Sequence, residues 1–202
     1  MLIFFLALLC VLVRGAALSS VEASPAPISC SDTKAQLDGK KLSKVCSGNT
    51  CLYLAYRQAS ANNQDPVLVR FDGDSQTFCN QKIEDNGDDG LGVGLLWDDS
   101  KDYFYGAFTS KGTQPGNQYQ DYTSGGWIPN FFGTIAQSSD TKVSVILKIN
   151  LADGTPTKGT FMGAKLMNND ANTCIVSQMD VAQNEEVAIY FSSFFSPVSR
   201  LR

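Results

Sequence analysis

The clearest pattern along the chain is a pair of apolar runs separated by five polar residues. Over residues 91–96, Leu91, Val93 and Leu95 alternate with glycine and leucine, and residues 103–109 are rich in aromatic side chains. Such runs suit the half-buried surface of a β-sheet. Residues 98–102 read DDSKD, and side chains of this kind satisfy backbone groups in turns. The pattern therefore predicts a β-hairpin.

Further strand patterns precede this hairpin. Residues 51–56 and 67–71 read CLYLAY and VLVRF, and an Asp-Gly-Asp turn separates the second run from a predicted partner strand over residues 77–83. Residues 59–66 read ASANNQDP, a composition that predicts a loop. The polar residues 31–45 fit either a short helix or a pair of edge strands.

The second half of the chain repeats this order of patterns. Residues 142–149, 159–166, 173–180 and 187–193 follow the four strands of the first half, and equivalent positions lie 78 to 84 residues apart. A duplicated four-stranded unit explains this repetition, with copies over residues 65–111 and 142–198. We therefore expect an all-β, antiparallel fold in which two repeated four-stranded units form a β-sandwich or a propeller-like array.

Two motifs in these units have a family counterpart. Residues 146–150 read ILKIN and residues 187–191 read VAIYF, and residues 67–72 and 102–107 match them in the first copy. The pattern resembles the blade repeats of secreted β-propellers of the bacterial seven-bladed type, with two copies and a partial one. The resemblance implies propeller-like packing. A propeller needs about four blades or more, whereas a sandwich of about nine strands accommodates the same pattern.

The N-terminus has the pattern of a secretion signal. Residues 2–13 form an apolar run, too short to span a bilayer, that is followed by Arg14 and small residues. We expect a signal peptide over residues 1–23, cleaved after Ala17 or Ala23, and a single secreted β domain over residues 24–202. With cleavage after Ala17, the loss of Arg14 takes the net charge from −4 to −5, so nucleic acid is not an expected partner. No later run reaches the roughly eighteen apolar residues of a membrane span.

Cysteine usage agrees with an oxidising compartment. Once Cys10 leaves with the signal, five cysteines remain, and this odd number predicts two disulfides and one thiol that is either buried or paired with another chain. Their spacing leaves the connectivity open. Zinc is not expected, because the chain has no CxxC pair and no histidine. The disulfide candidates are Cys30, Cys46, Cys51, Cys79 and Cys174.

Residues 112–139 form an insert without a counterpart in the other copy. Connections of this length are often functional, and this one places aromatic rings among amide and carboxylate groups. Such a mixture suits a sugar- or peptide-binding surface, because rings stack on the ligand while amides fix its polar groups. Alternatively, Trp127 and Phe131 fill one end of the β core. The candidate ligand-binding residues are Tyr119, Tyr122, Trp127 and Phe131.

Calcium is the one cofactor that the sequence suggests. Acidic residues cluster near residues 72–74, 84–89 and 98–102, and calcium prefers oxygen ligands. The candidate ligands are Asp85, Asp88 and Asp89. The alternative interpretation is a set of solvated turns, in which aspartate is common for backbone reasons.

Catalysis fits the sequence poorly. Without histidine, neither a Ser-His-Asp nor a Cys-His site can form, and the chain has no GxSxG, P-loop or GxGxxG motif. We expect a secreted, non-enzymatic extracellular matrix or binding module, associated with carbohydrate or mineral, whose partner is an extracellular glycan or matrix protein. One alternative is a glycan-cleaving enzyme with two carboxylates roughly 5 to 10 Å apart beside Trp127. Another is a structural protein that self-associates through sheet edges or the odd cysteine.

Overall fold

A computed structural model describes residues 17–85, 87, 89–111, 118–123, 142–165, 171–181 and 186–193. Within these ranges the chain is mostly β-structure, as the sequence predicts. The elements, in chain order, are β1 Ala17–Val21, α1 Lys34–Asp38, β2 Ser43–Ser47, β3 Thr50–Ser60, β4 Asn63–Asp72, β5 Ser75–Asn80, β6 Gly90–Asp98, β7 Tyr103–Lys111, α2 Gln118–Thr123, β8 Lys142–Asn150, β9 Pro156–Met162, β10 Ala164–Lys165, β11 Ala171–Asn172, β12 Cys174–Val181 and β13 Val187–Ser193.

The strands form two main antiparallel sheets. The five-stranded sheet has the order β1-β6-β7-β8-β9, and the four-stranded sheet has the order β2-β3-β4-β5. The remaining described strands form two small antiparallel pairs, β10–β11 and β12–β13. The predicted antiparallel β-sandwich therefore describes the centre of the molecule.

Three hydrophobic layers hold these sheets together. The main core lies between the two sheets, where Leu54 and Leu68 of the four-stranded sheet belong to one buried cluster with Leu95 and Phe104 of the five-stranded sheet. On the outer face of the five-stranded sheet, the β12–β13 hairpin contributes buried residues such as Met179. Helix α1 covers the outer face of the four-stranded sheet with its buried leucine. Strands covered on both faces read as nearly continuous apolar runs, as VLVRF does.

The predicted hairpin over residues 91–110 is confirmed as β6–β7, but its side-chain alternation is not regular. A register shift lies between Gly92 and Gly94. Because a bulge of this kind reverses the facing of the residues beyond it, Val93 packs against the β12–β13 side and Leu95 packs in the main core. Strict alternation would have placed both side chains on one face.

The predicted loop over residues 59–66 is wrong. Strand β3 runs to Ser60 and β4 begins at Asn63, so the two strands form one long hairpin. Residues 58–62 at its tip are exposed, and further along the hairpin Arg57 Nη2 lies 2.7 Å from Asp65 Oδ2 in directly opposed positions. Backbone pairing therefore continues through a segment whose composition is typical of loops.

The polar residues 31–45 contain both a helix and a strand. Thr33 and Gln36 form a capping box that begins α1, and Gly39 ends the helix. Strand β2 then starts at Ser43. The helix alternative is therefore correct for residues 34–38, and one of the alternative edge strands is present from Ser43.

Each of the two predicted copies contains two β-hairpins. The first copy contains β4–β5 and β6–β7, and the second contains β8–β9 and β12–β13. In each copy the two hairpins belong to different sheets. The duplication and the propeller resemblance stay predictions, since the described strands are arranged as packed sheets.

Two disulfides link the described elements, as the cysteine count predicts. Cys30 and Cys79 join the segment before α1 to β5, and Cys46 and Cys51 join opposed positions of β2 and β3. Cys174 of β12 is a buried free thiol. The structure thus supplies the connectivity that spacing left open. Neither of the described helices is long and apolar enough to cross a membrane.

Candidate functional site

Two features predicted separately from the sequence lie side by side in the structure. The Asp85 backbone N–H donates to Gln118 Oε1 at 2.8 Å, and Gln118 Nε2 donates to Asp85 Oδ1 at 2.8 Å. This two-bond clamp ties α2, in the aromatic insert, to the acidic segment before β6. We name the region formed by Asp65, Glu84, Asp85, Asp89 and α2 the acidic corner.

The inner side of the acidic corner is part of the main core. Tyr119 is fully buried, and its ring centroid lies 5.9 Å from that of Phe108. The sequence predicts Tyr119 as a ligand-binding residue, and this assignment needs correction because the ring is not accessible from solvent. Helix α2 docks beside β9 with this side chain directed inward. A six-residue helix is too short for its own sequence to reveal which face is apolar.

Two carboxyl groups are buried behind the surface of the acidic corner. Glu84 is 0% exposed and Asp65 is 1% exposed. Burial raises the pKa of Asp65, and the nearby charge of Asp85 acts in the same direction, whereas the ion pair with Arg57 opposes them. Sequence reasoning missed Asp65, because residues 59–66 were interpreted as a loop. The sequence feature that could have indicated Asp65 is its spacing from Arg57, which places the two residues opposite each other across a hairpin.

The acidic corner keeps its tyrosine hydroxyls protonated. Burial raises the pKa of Tyr119, and the charges of Glu84 and Asp65 raise it further. The pKa of Tyr122 is also raised, first by burial and then by the charges of Asp121 and Asp85. Neutral phenols therefore lie next to carboxylates at neutral pH.

The outer side of the acidic corner offers a mixed polar surface. Asp85 and Asp121 are exposed, Gln120 is exposed beside them, and Gln118 and Tyr122 are half-buried. This surface combines one accessible ring with amide donors and carboxylate acceptors, the groups that bind sugar hydroxyls. The other two candidate residues of the insert, Trp127 and Phe131, lie outside the described residues.

The predicted calcium ligands are only partly brought together. Asp85 is clamped by Gln118, and Asp89 Oδ1 accepts a hydrogen bond from the Gln64 backbone N–H at 3.2 Å. Asp88 lies outside the described residues. Among the residues that the structure describes, no group of three or more acidic or cysteine side chains is arranged to hold a metal ion. Calcium binding stays a prediction.

The other acidic clusters have structural roles. Asp72 accepts hydrogen bonds from the side chains of Thr50 and Thr77, each at 2.7 Å. Asp98 Oδ1 accepts from both the backbone and the hydroxyl of Ser100, in the turn between β6 and β7. These carboxylates stabilise turns and strand ends, as aspartate commonly does.

The chain matches no protein-family model, no curated protein and no solved structure.

Proposed function

We propose that this protein is a secreted, non-enzymatic binding module of the extracellular matrix type that recognises carbohydrate through the outer side of the acidic corner. The observation that carries the proposal is the two-bond clamp between Asp85 and Gln118. The clamp fixes α2 so that the Tyr122 ring lies beside exposed carboxylate and amide groups.

Secretion is supported by the disulfides and by the N-terminal pattern. Disulfides persist in oxidising compartments and are rare in the reducing cytosol. Two of them connect the described elements, and an apolar run of signal-peptide length precedes the fold.

The chemistry of the surface favours a ligand rich in hydroxyl groups. A half-buried tyrosine ring can stack on the apolar face of a sugar, while Gln118 and the exposed Asp85 and Asp121 pair with its hydroxyls. Calcium bound by the same carboxylates would bridge the protein to an acidic glycan or a mineral surface.

A non-enzymatic role is favoured over glycan cleavage by the burial of the inner carboxyl groups. Asp65 and Glu84 are 1% and 0% exposed, so a sugar bond cannot reach them in this conformation. A glycosidase needs both of its carboxyl groups at the scissile bond.

The proposal is tested by a glycan-array screen of the secreted protein, with calcium and with a chelator. For the best glycan, Tyr122→Ala and Gln118→Ala should each weaken binding at least about tenfold, or about 1.4 kcal/mol. Because the half-buried Tyr122 ring also packs against the main core, Tyr122→Ala should lower the melting temperature modestly, and binding is compared at a temperature at which both proteins are folded.

The matched control is Tyr190→Ala. Tyr190 is 59% exposed and lies on β13, in a different sheet, so its removal should leave glycan binding unchanged. Equal loss in Tyr122→Ala and Tyr190→Ala, or no binding of the natural chain to any glycan, would refute the proposed surface.

A further inference from the structure

The first described strand lies inside the region where the sequence leaves the leader boundary open. Strand β1 pairs antiparallel with β6 along its whole length, from Ala17 opposite Asp98 to Val21 opposite Gly94. The Glu22 backbone N–H then donates to the carbonyl of Val93 at 2.7 Å. The residues that follow Ala17 therefore form an edge of the five-stranded sheet, and their pairing with β6 contributes to the fold.

Side chains of β1 contribute to two cores. Leu18 packs against the main core between the sheets, and Ala17 packs against the core under the β12–β13 hairpin. Val21 fills the space above Gly94, since its Cγ2 lies 3.2 Å from where a Cβ on that glycine would be. The strand is packed on both of its faces.

Strand β1 also connects the two main sheets. The Lys44 backbone N–H of β2 donates to the Ser20 hydroxyl at 3.1 Å. The fully buried Ser43 hydroxyl accepts from the Glu22 N–H at 3.1 Å and donates to the Val93 carbonyl at 2.7 Å. Removing residues 18–23 would break this bridge, because the buried Ser43 hydroxyl would lose one of its two partners and the Lys44 backbone N–H would lose the Ser20 hydroxyl.

We propose that the leader is removed after Ala17, so that the mature protein begins at Leu18 and keeps residues 18–21 of β1. The proposal rests on the secretion proposed above. Hydrolysis adds water across the Ala17–Leu18 peptide bond, leaving a carboxylate on the leader and an ammonium group on Leu18. The small-residue rule allows cleavage after either Ala17 or Ala23. Only the first site preserves the edge of the sheet.

The site after Ala17 also lies nearer to the apolar run of the proposed leader. The apolar run ends at Val13, four residues before Ala17 and ten residues before Ala23. A membrane-bound signal peptidase acts close to the end of that run, so the shorter distance favours Ala17. Sequence position and fold thus select the same bond.

The decisive experiment is expression of the full chain from Met1 in a secreting eukaryotic host, followed by intact mass and N-terminal sequencing of the protein in the medium. We expect Leu18 at the N-terminus. An N-terminus at Ser24 or elsewhere beyond Leu18 would overturn the proposal while leaving secretion intact. Retention of the chain in the cell with its leader uncleaved would overturn both proposals.

Two matched substitutions identify the bond independently. Ala17→Arg should block processing and reduce the secreted protein at least tenfold. Ala23→Arg, at an exposed position, should leave the yield and the Leu18 N-terminus unchanged. The reverse pattern would place the cleavage after Ala23.

A folding measurement tests the structural reason for the choice. Chains beginning at Leu18 and at Ser24 are refolded with their disulfides formed, and their thermal unfolding is compared. The shorter chain should lose at least several degrees of melting temperature, because it lacks β1. Equal melting temperatures would show that β1 is dispensable and would remove the basis of the proposal.

Discussion

At the scale of single residues, Asp38 is a carboxylate that accepts three side-chain hydrogen bonds. Lys44 Nζ donates at 2.6 Å, the Tyr53 hydroxyl at 2.7 Å and Lys34 Nζ at 3.1 Å. These bonds, that from Lys44 above all, lower the pKa of Asp38 from 3.8 to about 2. The carboxylate thereby fastens the end of α1 to the four-stranded sheet.

This carboxylate should make the protein sensitive to acid. Because the pKa is lower in the folded chain than in the unfolded one, its contribution to stability is complete above pH 4 and is lost as the pH falls towards 2. Asp38→Asn should lower the free energy of unfolding at pH 7 and flatten its dependence on pH between 4 and 2. Denaturant titrations across this range measure both effects.

Asp74 provides the control for this prediction. It is exposed in the turn between β4 and β5, so Asp74→Asn should retain the acid dependence of the natural chain. If the natural chain and Asp38→Asn lost stability equally between pH 4 and 2, the role assigned to Asp38 would be wrong.

The sequence predicts which residues are chemically interesting better than it predicts which way they face. Tyr119 and Tyr122 are equivalent candidates by composition, yet one is in the core and the other is half-exposed. Their orientation depends on where α2 docks, and that is set by contacts with β9 and Phe108 far away in sequence. Local patterns do not contain such information.

At the scale of elements, strong patterns predicted strands and weak ones did not. The β6–β7 hairpin follows directly from apolar runs around an aspartate-rich turn. Strand β1 was missed, because ALSSV has little apolar character and adjoins the leader. Its conformation comes from pairing with β6, which is a tertiary interaction. The polar end of the β3–β4 hairpin was predicted as a loop for the same reason, because its strands are held by pairing with each other and have no apolar pattern there.

The two disulfides should contribute unequally to stability. Cys30–Cys79 closes a loop of 49 residues, whereas Cys46–Cys51 spans five residues within a hairpin. Loss of chain entropy in the unfolded state predicts about 4 kcal/mol for the first and about 2 kcal/mol for the second. The free energies of unfolding of the two double variants, Cys30→Ala with Cys79→Ala and Cys46→Ala with Cys51→Ala, measure this difference. A larger loss for the short loop would contradict the entropic account.

At the scale of the whole molecule, the odd cysteine bears on assembly. Cys174, the first residue of β12, is 0% exposed, and burial raises the pKa of its thiol to about 11. Disulfide exchange requires an accessible thiolate, so we do not expect this cysteine to form a bridge between chains. The sequence left both outcomes open, and the fold favours the buried thiol.

A thiol-reactive reagent tests this directly on the secreted protein. The native protein should resist labelling, and one thiol should react once the chain is unfolded in denaturant with its disulfides intact. Non-reducing gels should show no linked dimer, for the natural chain as for Cys174→Ser. Rapid labelling of the native protein, or a dimer that Cys174→Ser abolishes, would show that the thiol is accessible.

The close approach of the two main sheets has a consequence for how this chain can vary. At Gly92 a Cβ would clash with Leu54 Cδ1 and would lie 2.8 Å from the Ala55 carbonyl oxygen. Every amino acid that a single base change can substitute for glycine carries a Cβ. No one-step mutation at this codon is therefore neutral for the packing. A smaller side chain at position 54 would not by itself make the codon free to vary, because the Ala55 backbone of β3 would still be too close.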